Sequence, residues 1–509
     1  MSDNHSEHSN KPSAKTIMVL GTTSGAGKSF LTTALCRWYA RQGYKVAPFK
    51  AQNMSNNARV VPGPGNVYGE IGSAQYFQAL AARAAPEVRM NPVLLKPEAD
   101  TRSQVILMGQ VATQLADIPW RERSAHLWPA IAQSLDALRA ENDVLVIEGA
   151  GSPAEINLQT SDIVNMRVAL HAQARCLLVT DIDRGGAFAH LYGTWHFLPT
   201  QEKALIKGFV LNKFRGDAAL LAPGPEMLQA ATGVPTLAVL PMWWNHGLPE
   251  EDGVFDASST GGDSTSGGTG TGTRIAIIAY PRISNLDEFQ TLKNVPGVRL
   301  TWARSPADLQ GADWIILPGS KHTTADLAWL RAQRLAAPIA AHAARGAPVL
   351  GICGGLQMLG EALVDTQGIE SIEQGNAPGL GLLDVVTHFE ARKTVQPVTT
   401  AFAGLKAPWQ ALSNVSLSGY EIHHGNTIPR EPASRVHAVL PHNLGWSNQQ
   451  GNVLGIYIHG LFECPSVLHA LFGAQTRSLD NVLDAMADYV ELHFGVAALA
   501  QLVDKASGT

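Results

Sequence analysis

Short apolar runs recur along the chain, separated by longer segments whose apolar residues repeat at helical spacing. In the first half the runs are "TIMVL" (16–20), "DVLVIEG" (143–149), "CLLVTD" (176–181), "IKGFVLNKF" (206–214) and "TLAVLP" (236–241). A strand that is apolar throughout, instead of alternating with polar residues, is covered on both faces, as in a parallel sheet with crossover helices. The pattern then stops. Residues 258–273, "SSTGGDSTSGGTGTGT", are only Ser, Thr, Gly and Asp, and cannot bury enough apolar area to offset the entropy of ordering. Beyond them the alternation restarts with "RIAIIAY", "VRLTW", "DWIILPGS", "APVLGIC" and "VLGIYIHG". The expected architecture is α/β in two domains: a disordered tail over 1–14, a first domain over 15–252, a flexible linker over 253–273, a second domain over 274–472 and a C-terminal helical segment over 473–509. The region 52–140 is expected to add helices and loops over the first sheet, and 380–450 reads only as mixed strands and loops.

Composition narrows the classes of function. The 509 residues are 45% apolar and 16% charged, which is ordinary globular usage and enough for more than one core. Lys plus Arg number 38 against 43 Asp plus Glu, a formal charge of −5 with no basic stripe, so nucleic acid is not an expected partner. The opening "MSDNHSEHSNKPSAK" lacks the apolar centre of a signal peptide, and no run approaches the roughly 20 apolar residues that span a bilayer. A cytoplasmic protein without a membrane partner is expected. The four cysteines, Cys36, Cys176, Cys353 and Cys464, form no CxxC pair, so neither zinc nor a disulfide framework is indicated.

The first chemical signal is "MVLGTTSGAGKSFLTTALCRWYARQG" (18–43), a strand, a Gly/Ser/Thr turn and a helix carrying Phe30, Leu31, Ala34, Leu35, Trp38 and Tyr39 at helical spacing. Such a turn aims successive backbone N–H groups at phosphate, with Lys28 reaching the outer phosphates and the Ser29 hydroxyl available to Mg²⁺. Thr22, Gly25, Gly27, Lys28 and Ser29 are therefore the expected ATP contacts. Two strand ends add to the site, since ligands of doubly wound sheets sit there. Glu148 and Asp181 are the expected Mg²⁺ carboxylates, with Asp183 nearby, and Asn212 before Lys213 is placed to read adenine. Five residues separate Gly21 from Gly27, and Thr22 occupies the first motif glycine of GxxxxGK[ST]. This GTxxxxGK[ST] form resembles the loop of dethiobiotin synthetase and its relatives, which activate carboxylates with ATP.

In "LGICGGLQMLGEAL" (350–363), Cys353 follows a strand, and Leu356, Leu359 and Leu363 are expected to begin a helix. Glycines permit the strained dihedrals of a nucleophile elbow, and a helix end favours a thiolate. A thiolate attacking a carbonyl needs proton transfer and an oxyanion hole. His459 ends the strand "VLGIYIHG", and the amides of Gly319, Ser320 and Gly354 are expected to line the same pocket and its oxyanion hole. This half resembles a class I glutamine amidotransferase, with Cys353 as nucleophile and His459 as acid and base. The His-x-Glu pattern of the commoner triad is missing, because Leu461 stands two residues after His459. That departure, with "GYEIHHGNT" (419–427), is similar to the cobyric and cobyrinic acid synthase branch, where a Cys and His pair is expected. Glu463 is a conceivable third member, and His423 is expected to shape the domain or line the pocket.

The blocks "FKAQNMSNNARV", "MNPVLLKPEAD", "EGAGSPAEINL" and "DIDRGGAFAHLYGT" extend the likeness, and from about 16 to 490 the chain resembles the cobyric acid synthase family. The resemblance implies ATP- and glutamine-dependent amidation of a corrinoid, adenosylcobyrinic acid a,c-diamide, at its b, d, e and g carboxylates, with Mg²⁺. Ammonia made at one site and used at another implies that the two domains dock despite their tether. Two rivals stay open. Cobyrinic acid a,c-diamide synthase shares both chemistries, although "QNMSNN" and "NPVLLKP" argue against it. A MinD-like switch ATPase would put a lysine where Thr23 stands, and gives no reason for Cys353 and His459.

Overall fold

The computed structural model describes residues 13–99, 102–115, 118–244, 246–249, 272–370, 375–430, 435–473 and 478–504. Nearly all of the expected tail and linker lies outside them. Within the first domain, six parallel strands run in the order Thr236–Pro241, Ile206–Phe214, Arg175–Asp181, Lys15–Gly21, Val144–Glu148 and Val46–Phe49. Successive side chains of a strand point to opposite faces. Ile17 and Val19 accordingly join one apolar cluster with the Lys28–Arg41 helix, while Met18 and Leu20 join another with the Trp120–Glu141 and Met166–Ala172 helices. The sheet is covered on both faces, which is why its strands read as unbroken apolar runs. Among the described residues no helix is long and apolar enough to cross a membrane.

The region after residue 52 differs from expectation. Apart from the Ser73–Ala81 helix it is chiefly strands as far as residue 111: a hairpin of Ala58–Pro62 with Tyr68–Gly72, and a four-stranded sheet of Gln52–Met54, Val93–Ala99, Arg102–Leu107 and Gln110–Val111. These strands are only two to seven residues long, too short to display a clear apolar period.

Across the second domain a seven-stranded sheet runs Val298–Ala303, Thr273–Ile278, Trp314–Leu317, Val349–Ile352, Val453–Ile456, Gly445–Asn448 and Val436–Leu440, the first five parallel and the last two antiparallel. A long antiparallel pair, Val385–Ala401 with Ser416–Pro429, stands beside it and lies against the hairpin of the first domain. Charged groups cross that seam. Glu70 accepts from both Lys96 and Lys393, and Lys321 Nζ donates to Glu98 Oε1 at 3.0 Å. Burial alone would raise the Glu70 pKa, but the ammonium groups of Lys393 and Lys96 hold it down at about 2.

The C-terminal helix Leu479–Phe494 returns to the first domain. Val482, Leu483, Met486 and Val490 are buried in the cluster that contains the Lys28–Arg41 helix. Arg37 pairs with Asp480 at 2.9 Å and Asp484 at 2.8 Å, Trp38 Nε1 donates to Glu491 Oε2 at 2.8 Å, and the Tyr39 hydroxyl donates to the Leu499 carbonyl at 2.7 Å. A chain that leaves the first domain and comes back to it limits how far the second can wander. Met486 is fully buried there. Met486→Ala is expected to cost about 2–5 kcal/mol, read as a lower urea midpoint for unfolding of the first domain.

Candidate active site

At the end of the Lys15–Gly21 strand the chain turns through Ser24–Ala26 into the Lys28–Arg41 helix. Gly27 has φ +95°, and a Cβ there would stand 2.0 Å from Asn212 Nδ2, so both dihedral and space require glycine. Asn212 Nδ2 donates to the Ala26 carbonyl at 2.8 Å and its Oδ1 accepts from the Lys213 N–H. Asn212 thus straps the loop from beneath through one amide N–H and its amide oxygen. Thr22 and Thr180 share a hydroxyl hydrogen bond of 2.9 Å, and Gly25 packs beside Arg184. Lys28 Nζ donates to the carbonyls of Thr23, Ser24 and Gly151 at 2.9, 3.3 and 3.2 Å. Its charge is thereby stored at the mouth of the loop, where a phosphate can take it over.

Beside the loop, Ser29 Oγ donates to Glu148 Oε1 at 2.9 Å. Glu148 is 1% exposed and also accepts from Lys50 Nζ at 2.8 Å and from Gln78 Nε2. Burial raises its pKa, but Lys50, Gln78 and Ser29 together hold it below the usual carboxylate range. Mg²⁺ at a nucleotide needs few protein oxygens, the rest being phosphates and water, and the adjacent Ser29 and Glu148 oxygens fit it. Asp181 is occupied otherwise: Oδ1 accepts from the Asp183 N–H at 3.0 Å, and Oδ2 is paired with Lys213 at 3.2 Å and Arg184 at 3.4 Å. Of the three expected ligands, Ser29 and Glu148 stand together at the phosphate loop, while Asp181 faces Lys213 and Arg184. Sequence reasoning missed Lys50 and Gln78. Lys50 lies in the quoted "FKAQNMSNNARV" block, but nothing in that block aims it at Glu148.

Cys353 sits at φ +51°, ψ −106°, between the Val349–Ile352 strand and a helix limited to Gly354–Leu359. The helix is shorter than expected: Leu363 belongs to the Ala362–Val364 strand beyond Gly360. A Cβ on Gly354 would stand 2.7 Å from the Ser320 nitrogen, and one on Gly355 would stand 1.8 Å from the Leu317 carbonyl. The two glycines let the turn lie directly on the neighbouring strand end. Non-glycine residues in such backbone conformations cost on the order of 1–3 kcal/mol and cluster at active sites. Cys36 and Cys176, by contrast, are core residues, with burial raising both thiols.

His459 is joined to Tyr420 by paired backbone hydrogen bonds, and the two rings stack at 5.5 Å. The imidazole lines the same pocket as Cys353, and its Nδ1 lies 3.1 Å from Glu288 Oε1, while Glu288 Oε2 accepts from the Gly460 N–H at 3.0 Å. Burial alone would lower the His459 pKa, but Glu288 and Cys353 raise it to about 10. A protonated imidazole beside a thiol is the arrangement that holds a thiolate. Glu288 is fully buried and orients the ring through Nδ1. It is the residue that sequence reasoning missed, because "NLDEF" carries two adjacent acids and no spacing rule says which faces the histidine. Glu463 instead pairs with Arg59 at 2.6 Å. Gly319 packs against the same ring, since a Cβ there would stand 2.7 Å from His459 Cε1. Ser320, Lys321, Glu370 and His423 line the pocket with Cys353, and the first domain contributes Asn56 and Lys96 to its wall.

Family models match both halves: a CobQ/CobB/MinD/ParA nucleotide binding domain over 17–250 and a CobB/CobQ-like glutamine amidotransferase domain over 274–467. Among curated relatives, proteins named cobyric acid synthase from Variovorax paradoxus and an Acidovorax species are each 68% identical. The alignments cover 96% of this chain and 99% and 98% of those proteins. One from a Polaromonas species is 66% identical over 96% of this chain and 98% of its own length. The chain belongs to the cobyric acid synthase family. It is a glutamine-dependent amidoligase of that family, a nucleotide-binding domain joined to a glutamine amidotransferase domain.

Removing the Glu288 charge tests what holds the histidine. Glu288→Gln is expected to lower glutamine hydrolysis by about 10²-fold. The alkaline limb of its pH profile, governed in the native protein by loss of the His459 proton at about 10, is expected to move to lower pH, because the carboxylate that retains that proton has gone. Glutamate release measured across pH checks both.

Proposed function

We propose that the enzyme amidates adenosylcobyrinic acid a,c-diamide at its b, d, e and g carboxylates, giving adenosylcobyric acid, in a cytoplasmic reaction that consumes ATP and glutamine. At the second domain the Cys353 thiolate attacks the side-chain carbonyl of glutamine. Protonation of the leaving nitrogen by His459 releases ammonia and leaves a thioester. Water then attacks the thioester, His459 takes its proton, and glutamate departs. The amides of Gly319, Ser320 and Gly354 hold the oxyanion. Glu288 keeps the imidazole turned toward the sulfur.

At the first domain a substrate carboxylate attacks the γ-phosphate, forming an acyl phosphate and ADP, and ammonia displaces phosphate to give the amide. Catalysis of the phosphoryl step is mainly electrostatic and positional. Thr22, Gly25 and Gly27 shape the loop around the phosphates, Asn212 braces it, and Lys28 exchanges its carbonyl partners for phosphate oxygens. Mg²⁺ held by Ser29 and Glu148 would neutralise charge on the transferring group. The observation that carries the reading is the pocket of Cys353 and His459, whose wall includes Asn56 and Lys96 of the nucleotide-binding domain. Ammonia is mostly ammonium in neutral water, and a source docked against the domain that consumes it limits that loss.

Mass spectrometry after incubation with cobyrinic acid a,c-diamide, glutamine and MgATP is expected to show four amidations that require ATP, glutamine and Mg²⁺. Amidation of cobyrinic acid in its place would move the assignment to the a,c-diamide synthase. Cys353→Ala is expected to abolish turnover with glutamine but retain it with concentrated ammonium salt; loss with both donors would overturn the division of labour.

A further inference from the structure

Arg59 stands on the Ala58–Pro62 strand of the first domain, yet its carboxylate partners belong to the second. It is 2% exposed. Its guanidinium donates to Asp287 Oδ2 and forks onto Glu463, with Nη1 to Oε2 at 2.9 Å and Nη2 to Oε1 at 2.6 Å. It also lies 5.2 Å from the centre of the Tyr420 ring. The two residues before it make backbone contacts of the same kind: the Leu286 N–H donates to Asn57 Oδ1 at 2.9 Å, and the Ala58 N–H donates to Asn285 Oδ1 at 3.1 Å. Three consecutive residues of the nucleotide-binding domain therefore grip Asn285, Leu286 and Asp287, and the next residue is Glu288.

Every element that orients His459 meets this grip. Glu288 bonds its Nδ1, Tyr420 stacks on its ring, and Glu463 closes the short turn that follows it. We propose that Arg59 is a positioning residue for glutamine hydrolysis: from the nucleotide-binding domain it holds Glu288, and through Glu288 the imidazole of His459, in register with Cys353. The amidotransferase centre is complete only with the first domain docked. Without the guanidinium, Asp287 and Glu463 face each other uncompensated beside Glu288, and the turn that carries Glu288 must move to separate them. Lysine keeps one charge but loses the planar fork that engages both carboxylates.

The proposal rests on the role given to Cys353 and His459 above, and its test separates the two. In the full chain, Arg59→Met is expected to lower kcat for glutamate release on the order of 10²-fold, as for a catalytic group displaced by about 1 Å. KM for glutamine stays near the native value and amidation from ammonium salt is retained. Arg59→Lys is expected to fall between Arg59→Met and the native enzyme. Native glutamine hydrolysis in Arg59→Met, or an equal loss with both nitrogen donors in Arg59→Lys, overturns the proposal. If Arg59→Met does not fold, Arg59→Lys alone decides: native glutamate release overturns it, and reduced release with intact ammonia-dependent amidation supports it. Failure of the underlying reading appears separately, as loss of both activities in Cys353→Ala.

Discussion

A guanidinium almost fully buried between two domains constrains the rest of this protein. An isolated charge there would cost several kcal/mol in desolvation, and Arg59 is tolerated because Asp287 and Glu463 come to it from the other domain. Neither side satisfies its charge alone. Docking is thereby made specific: a slip of the interface leaves a cation on one side and two carboxylates on the other. The aromatic rings of Tyr76, Phe77 and Tyr420 fill the remaining space around the guanidinium and exclude water from it.

The same device recurs at the other buried acids. Glu70 is held ionised by Lys96 and Lys393 and Glu148 by Lys50 with Ser29 and Gln78, while Glu288 is paired with the His459 ring. Each acid sits near an end or edge of a sheet and takes its partner from a segment distant in sequence. Two of them lie at the phosphate loop and beside His459, and one lies at the seam. The Ser73–Ala81 helix ties these regions together, since Tyr76 and Phe77 pack on Arg59 while Gln78 reaches Glu148.

The parallel sheets, the phosphate loop and the strand-end positions of Cys353 and His459 in one pocket were legible from sequence, because each depends on local chemistry. Apolar runs covered on both faces, glycines where φ is positive, and a lysine and hydroxyl at a helix start are short-range requirements. The strands after residue 52 were not legible: "AQNMSNNARV" mixes polar residues of which Asn57 and Arg59 face the other domain, so the period that marks a strand is absent. Asn212 and Asp181 were placed at the right strand ends, but their loop and lysine partners were not foreseen. Strand ends tell where a side chain emerges; whether it meets a loop carbonyl, a lysine or a ligand depends on the neighbouring strand.

Sequence by itself determined the family and the two chemistries, since these rest on motifs whose residues lie within a few positions of one another. Tertiary structure alone decided what orients His459, what braces the phosphate loop and what joins the domains. Glu288 lies 171 residues from His459, and Arg59 lies 404 from Glu463. No spacing rule reaches so far: contacts of that separation are set by how sheets and domains pack, which the local pattern of the chain does not encode.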